Sequence, residues 1–288
     1  MKTYFVNGRF VSEDRAVIPV TDLSVLRGYG VCDIMRTYRG RPFFLEEHAS
    51  RLQASAAEIG LSLPWSKDDI IRYVLETLGK NHPIDEVNIR IVITGGSSTD
   101  YFTPQGNPRL IILLTDLKKL PETWYEDGVR VVTYLQERPM PDAKITSYIP
   151  AAMALKDAHK KNAIEAIYIN RNQHVLEGTT SNLFAFFNDI LVTPSEDVLK
   201  GITRKATLSL ARNMFQIKER KISLEELLSA DEIFITGTNK GIVPVIQVDE
   251  TRIGSGRPGR HTRELMSRLE THTNSFIRQA DQNDSLKS

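Results

Sequence analysis

Glu177-Gly178-Thr179-Thr180-Ser181-Asn182-Leu183-Phe184-Ala185-Phe186-Phe187 joins a carboxylate, a glycine, three hydroxyls and an amide directly to an unbroken apolar run. Asn182–Phe187 reads as a strand and the polar residues before it as a turn. Working outward, Asn188-Asp189 is a tight turn into a second strand, Ile190–Thr193. Ile164–Asn170 and Val129–Leu135 read as strands upstream, Glu232–Thr236 and Val243–Val248 downstream. Between them, Pro150 opens an Ala-rich helix to about Lys161, as proline does in a first helical turn. Thr203 is the expected cap of a helix to about Met214, and Ser223 with Glu226 forms a capping box for Leu224–Ser229. A last helix, Thr262–Thr271, precedes a polar tail, Asn274–Ser288, expected to be disordered.

The N-terminal part has a similar mixture. Asn7-Gly8 is a hairpin dipeptide between Tyr4–Val6 and Arg9–Val11. Arg39-Gly40-Arg41 separates Asp33–Tyr38 from Pro42–Leu45, a second hairpin. Helices are expected over Glu46–Ile59, closed by Gly60, and over Lys67–Leu78, capped by Ser66. Val87–Thr94 and Arg109–Leu114 are strong strand runs joined by a long loop, 95–106. Strands and helices in mixed order with many hairpins indicate an α+β fold rather than a doubly wound parallel sheet. The pattern changes near Lys118. We therefore expect a small N-terminal α/β domain, 1–118, a linker, 119–127, and a larger β-rich domain, 128–273, followed by the tail, 274–288.

Composition bounds the function. Lys+Arg is 37 against Asp+Glu 36, a net charge of +1, which disfavours a broad nucleic-acid surface. No apolar run approaches the roughly eighteen residues of a membrane span, and the opening residues lack the apolar core of a signal peptide. One cysteine, Cys32, excludes an internal disulfide and any cysteine-based metal cluster. A cytoplasmic protein with no nucleic-acid or membrane partner and no bound metal is the expectation.

Among the 15 lysines, Lys144 stands between small and apolar residues, in Asp142-Ala143-Lys144-Ile145-Thr146-Ser147-Tyr148. A desolvated lysine has a lowered pKa and can act as nucleophile or base. Lys200-Gly201-Ile202-Thr203-Arg204 opens a helix whose free N–H groups suit a phosphate. Thr236-Gly237-Thr238-Asn239-Lys240-Gly241, between two strands, also allows a phosphate to approach closely. Each segment alone is ordinary: a loop lysine, a hydrophilic turn, a capped helix, a β-turn.

In this order, with Lys144 33 residues ahead of Glu177, the segments resemble the class IV, fold type IV, pyridoxal-phosphate aminotransferases. That family includes branched-chain and D-amino-acid aminotransferases and aminodeoxychorismate lyases. Arg27-Gly28-Tyr29-Gly30-Val31 and Leu45-Glu46-Glu47-His48 with Arg51-Leu52 add to the match, which runs from about Tyr4 to about Thr271. The resemblance implies a two-domain fold type IV enzyme with pyridoxal 5'-phosphate as cofactor, amino-acid and 2-oxo-acid substrates, and a homodimer. It implies that Lys144 forms the Schiff base with the cofactor aldehyde and moves the substrate Cα proton. Glu177 would keep the ring nitrogen protonated, because a neighbouring negative charge raises its pKa. Arg51, the N–H groups of Ile202 and Thr203, and Thr238 would hold the phosphate, and Tyr148 would reach the phenolic oxygen. Thr180, Ser181, Asn182 and Gly237 complete the expected cofactor contacts.

The substrate's hand decides where its carboxylate lies. The Arg-x-His of many D-amino-acid enzymes after Val87–Thr94 is here Gly95-Gly96-Ser97. The Phe-Glu-Gly-φ-Arg of branched-chain enzymes is here Cys32-Asp33-Ile34-Met35-Arg36. Their Tyr-φ-Arg motif has a partial match in Asn88-Ile89-Arg90, while the loop after Lys144 is as short as in the D-type enzymes. Strand alternation puts Cys32, Ile34 and Arg36 on one face, and Arg90, Val92 and Thr94 together. Arg27, Cys32, Ile34, Arg36, Arg90 and Thr179 are the expected substrate contacts, with Arg27 and Arg90 reading a dicarboxylate such as 2-oxoglutarate. D-Amino acids are slightly favoured; an L-branched-chain aminotransferase and an aminodeoxychorismate lyase are the alternatives. A pyridoxal-phosphate binder without catalysis would lack Lys144 or Glu177.

Overall fold

The computed structural model describes residues 1–82 and 86–285. Packing divides the chain into two units: Met1–Lys118 with Asp142–Tyr148, and Lys119–Pro141 with Ile149–Ser288. The lysine segment thus belongs to the first unit, not to the domain 128–273 in which the sequence reading put it.

The first unit is built on six antiparallel strands: β1 (Thr3–Val6), β2 (Arg9–Ser12), β3 (Gly30–Tyr38), β4 (Arg41–Pro42), β5 (Val87–Thr94) and β6 (Arg109–Asp116), in the order β2-β1-β6-β5-β3-β4. Alternation decides which face is covered. Val31 and Met35 of β3, Ile89, Ile91 and Ile93 of β5, and Leu110, Ile112 and Leu114 of β6 form one core. Leu52 and Ala56 of helix α2 (Leu45–Glu58) and Ile70 and Val74 of α3 (Lys67–Gly79) pack into that core. A Ser66–Asp69 capping box fixes the start of α3. Sequence periodicity did not mark a short helix, α1 (Leu23–Arg27), whose N-terminus is capped by Asp22 accepting from Ser24 N at 2.9 Å.

Among the described residues the second unit carries helices α4 (Thr123–Glu126), α5 (Ile149–Lys160) and α6 (Ile202–Ala211) and nine strands: β7 (Val129–Leu135), β8 (Glu165–Ile169), β9 (Val175–Gly178), β10 (Asn182–Phe187), β11 (Ile190–Thr193), β12 (Gln216–Glu219), β13 (Glu232–Gly237), β14 (Gly241–Val248) and β15 (Thr251–Arg252). Their order is β12-β11-β10-β13-β14-β7-β8-β9, with β15 paired to β14. β7 pairs parallel with both β14 and β8, and β11 with β12, so the sheet is mixed. Both faces are covered: Leu183 and Ala185 of β10 enter one core, Phe184 and Phe186 another. The opposed Phe184 and Phe234 rings stack at 4.9 Å.

Three expectations change here. The expected linker holds a helical turn, Thr123–Glu126, whose Trp124 and Tyr125 pack on the second unit's core; Tyr125 donates to Lys240 O at 2.9 Å. The segment ahead of β10 is not all turn, because Val175–Gly178 is a buried strand that carries Glu177. The last helix runs over Arg260–Ser285, past the expected end at Thr271 and through most of the tail expected to be disordered. No glycine or proline interrupts the sequence from Thr262 onward, Glu232 caps the helix start through His261 N and Thr262 N, and Leu265 and Leu269 anchor it in the core. Residues 286–288 of that tail lie outside the described residues. Among the described residues no helix is long and apolar enough to cross a membrane.

Leu52 is fully buried beneath β3. Leu52→Ala is expected to lower the first unit's unfolding free energy by about 2–5 kcal/mol, read from urea denaturation.

Candidate active site

In the first unit, Lys144 is placed by backbone pairing. Its carbonyl accepts from Cys32 N at 2.8 Å, and Thr146 N donates to Gly30 O at 2.9 Å, so 144–146 lies along β3 as a short extra strand. The Thr146 hydroxyl donates to Gly28 O at 2.8 Å, and Lys144 N donates to the buried Ser55 Oγ of α2 at 3.0 Å. β3 can run this close only because residue 30 is glycine: a Cβ there would stand 2.6 Å from Ile93 O. The side chain of Lys144 reaches Tyr148, with Nζ 2.9 Å from the phenolic oxygen. Burial disfavours its ammonium, but the neighbouring Tyr148 and Cys32 counter burial, and the net displacement of its pKa is upward. The direction is opposite to the lowered lysine pKa expected. Burial pushes the Cys32 thiol up, so it stays neutral.

Beside this segment sits a trio of which the sequence reading assigned a role only to Arg51. Asp33, fully buried on β3, accepts from Arg51 Nη2 at 2.7 Å and Nε at 2.9 Å, and lies 2.7 Å from His48 Nδ1. His48 and Arg51 share a face of α2 at i, i+3, and Asp33 is on the inward side of its strand; those two periodicities were the available signal. Burial opposes the Asp33 charge, but Arg51 and His48 outweigh it and hold the carboxyl well below the usual range. Burial pushes His48 down, so it is neutral and donates through Nδ1. Arg51 is thus oriented by a bidentate fork through Nε and Nη2.

The arginines expected at the substrate separate into two places. Ile34 pairs with Arg90 and Cys32 with Val92 across β3 and β5, so these residues and Arg36 share the sheet's outer face. Arg36 stacks on Tyr38 at 4.1 Å, and Arg90 is exposed beside Thr115. Arg27 lies apart in its short helix, donating to Leu26 O and 5.9 Å from the Phe102 ring.

In the second unit the structure gathers Glu177, the 179–182 loop, the start of α6 (Ile202–Ala211) and the Gly237–Gly241 turn. Glu177 Oε2 accepts from Leu199 N at 3.1 Å and Asn182 Nδ2 at 3.3 Å, and Oε1 accepts from Arg138 Nη1 at 2.6 Å. Arg138 was not found in the sequence, where it stands in a polar segment without periodicity. Gly201 is the N-cap of α6, with ordinary extended dihedrals and no side chain to occupy the helix N–H groups; Thr203 lies inside the helix and does not cap it. The glycine meets a need for space rather than for an unusual turn, since a Cβ would lie 2.0 Å from Asn182 Oδ1. Among the described residues no side chain caps the start of α6, so the N–H groups of Ile202 and Thr203 are available there beside a favourable dipole. Thr236, opposite Asn182 in the sheet, has a buried hydroxyl without a partner among the described residues. Thr238 follows in the turn, where Lys240 N donates to Gly237 O at 3.0 Å. The hydroxyls of Thr179, Thr180 and Ser181 turn inward to Glu165, a buried carboxylate the sequence reading passed over.

The family model described as amino-transferase class IV matches residues 30–248. The chain is 34% identical over 279 residues to a Methanocaldococcus jannaschii protein provisionally named a branched-chain-amino-acid aminotransferase, covering 93% of this chain and 95% of that one. It is 31% identical over 268 residues to a D-alanine aminotransferase of Listeria monocytogenes, covering 90% and 92%. The structure of the Escherichia coli branched-chain amino acid aminotransferase superposes with a TM-score of 0.85 at 26% identity, covering 92% of each chain.

Asp33 gives a pH test. Its folded pKa is depressed, so its stabilisation is complete above the unfolded value of about 4 and is lost as pH falls toward the folded value. Asp33→Asn is expected to cost about 3–5 kcal/mol at neutral pH and to flatten the loss of stability below about pH 4, measured by denaturation at each pH.

Proposed function

Because the chain belongs to the class IV aminotransferases, we propose that Lys144 is its catalytic amine and that Glu177, Arg51 and the start of α6 hold its cofactor. Aminotransferase activity comes with the family, whose members use pyridoxal 5'-phosphate. The single observation that carries the residue assignment is the bare N-terminus of α6 beside the fully hydrogen-bonded Glu177. Within the second unit the donors suit a phosphate ester on a nitrogen ring: uncapped N–H groups and the Thr236 hydroxyl for the anion, and a carboxylate for the ring. Arg51, oriented by Asp33 in the first unit, is the arginine that the family resemblance assigns to the phosphate. When bound, the cofactor supplies an aldehyde for the amino nitrogen and a ring that draws electrons from Cα.

The chain's own residues do the rest. Lys144 Nζ takes the proton from the substrate Cα and returns it, once its own ammonium has lost a proton; Tyr148, 2.9 Å away, orients it. Glu177 keeps its charge through three donors and so keeps the ring nitrogen protonated. Ile202 N, Thr203 N, Thr238 and Arg51 bind the phosphate. Asn182 and Gly201 hold the carboxylate strand and the helix start in register, while the hydroxyls of Thr179, Thr180 and Ser181 fix the loop from within.

For the substrate we propose an amino acid paired with a 2-oxo acid such as 2-oxoglutarate. Arg90 reads the acceptor's carboxylates, with Arg36 beside it and Arg27 from its helix, over the apolar floor of Cys32 and Ile34. D-Amino acids are the favoured hand, supported by the short loop after Lys144. The apolar side chains around Arg90 favour L-branched-chain donors as the second reading.

Lys144→Ala is expected to lower transamination by about 10²–10⁴-fold or more while leaving the fold intact. Glu177→Gln is expected to retain cofactor and turn over more slowly. The donor is identified by adding D-alanine, D-glutamate, L-leucine or L-glutamate to the coloured enzyme and following the loss of its visible band. Bleaching by the L-amino acids alone would reject the D assignment. Release of 4-aminobenzoate and pyruvate without an amino acceptor would indicate the lyase.

A further inference from the structure

Every residue of β8 is buried, and one of them is an acid. Glu165 has no exposed surface. Its Oε1 accepts from the Thr179 hydroxyl, and its Oε2 from the Thr180 hydroxyl at 2.8 Å, the Ser181 hydroxyl at 3.0 Å and Lys240 Nζ at 2.6 Å. Lys240 Nζ also reaches Thr180 Oγ1 at 2.6 Å. A buried carboxylate is tolerated only with such partners. Burial opposes the charge, and Lys240 with the hydroxyls outweighs it, keeping the carboxyl below its usual range.

The donors come from two separate stretches. Thr179, Thr180 and Ser181 form the loop that leads from Glu177 to Asn182. Lys240 stands in the turn that also carries Thr238, and its own carbonyl is fixed by the Tyr125 hydroxyl. The two stretches touch directly as well: a Cβ on Gly237 would be 3.3 Å from Thr180 O. A loop hydroxyl usually faces water at little cost; here three are drawn inward to one carboxylate, which a lysine from the neighbouring turn neutralises.

We infer that Glu165 and Lys240 are a positioning pair that locks the 179–181 loop and the Gly237–Gly241 turn together and so sets the geometry of the cofactor's phosphate-binding end. The inference rests on the cofactor assignment proposed above. Neither residue touches the reacting atoms; their effect passes through the backbone of the loop and the turn. Removing Lys240 leaves Glu165 uncompensated, which distorts both stretches, whereas neutralising both members removes the buried charge.

The test compares cofactor affinities of full-length apoprotein: wild type, Lys240→Met, Glu165→Gln, the double variant, and Lys240→Arg. Each is titrated with pyridoxal 5'-phosphate and, separately, with pyridoxal, which lacks the phosphate. Lys240→Met is expected to weaken pyridoxal 5'-phosphate binding by about tenfold or more, with pyridoxal binding little changed. The double variant is expected to fall between Lys240→Met and wild type, and Lys240→Arg to restore most of the affinity. If Lys240→Met does not fold, the double variant carries the test against wild type. Wild-type affinity in the double variant, or equal weakening toward both ligands, overturns the inference. Failure of the wild type to bind pyridoxal 5'-phosphate overturns the cofactor assignment instead, and the inference with it.

Discussion

The constraint on which the site depends is the backbone pairing between β3 and residues 144–146. A lysine that must meet a reacting carbon needs a fixed Cα, and a free loop does not supply one. Here the carbonyl of Lys144 and the amide of Thr146 are bonded to Cys32 and Gly30 of a central strand, and the amide of Lys144 is bonded to Ser55. Gly30 is required because its neighbour strand approaches too closely for a side chain. The same strand, one residue on, carries Asp33, which orients Arg51. One strand therefore fixes both Lys144 and Arg51, the proposed amine and the proposed phosphate cation, and the packing of α2 on that strand supports both.

Buried carboxylates do much of the remaining positioning. Asp33, Glu165 and Glu177 are each almost fully removed from water, and each is matched by a cation: Arg51, Lys240 and Arg138. Their tasks differ. Asp33 aims an arginine, Glu165 ties a loop to a turn, and Glu177, the proposed partner of a ring nitrogen, is held by three donors. Burial makes each expensive to leave unpaired, so the surrounding structure is held to one arrangement. The near-equal numbers of positive and negative residues fit this pattern, with much of the charge near the site placed in specific pairs.

The strands of both sheets were legible because alternation and apolar runs are local signals. Val87–Thr94, Val129–Leu135, Asn182–Phe187 and Ile190–Thr193 have the same bounds in the sequence reading and in the structure. The order of the chemical motifs was legible too, and with it the family. What escaped were relations between distant residues. Glu165 lies in a short apolar run with nothing local to mark it, Arg138 in a polar segment, and Val175–Gly178 is a strand through pairing with β8 rather than through composition. Thr203 looked like a cap because hydroxyls usually are, but space at Asn182 gives the position before the helix to Gly201. The continuation of the last helix past Thr271 was missed because its polar composition resembled a tail, although nothing in it stops a helix that Glu232 has started.

The most direct test of the account is to locate the covalent bond itself. The protein is loaded with pyridoxal 5'-phosphate, reduced with borohydride, digested, and the modified peptide sequenced by mass spectrometry. The account predicts a single phosphopyridoxyl group on Lys144 at close to one per chain. A group on another lysine, Lys240 or Lys200 above all, or a distribution over many lysines with Lys144 unmodified, would contradict it.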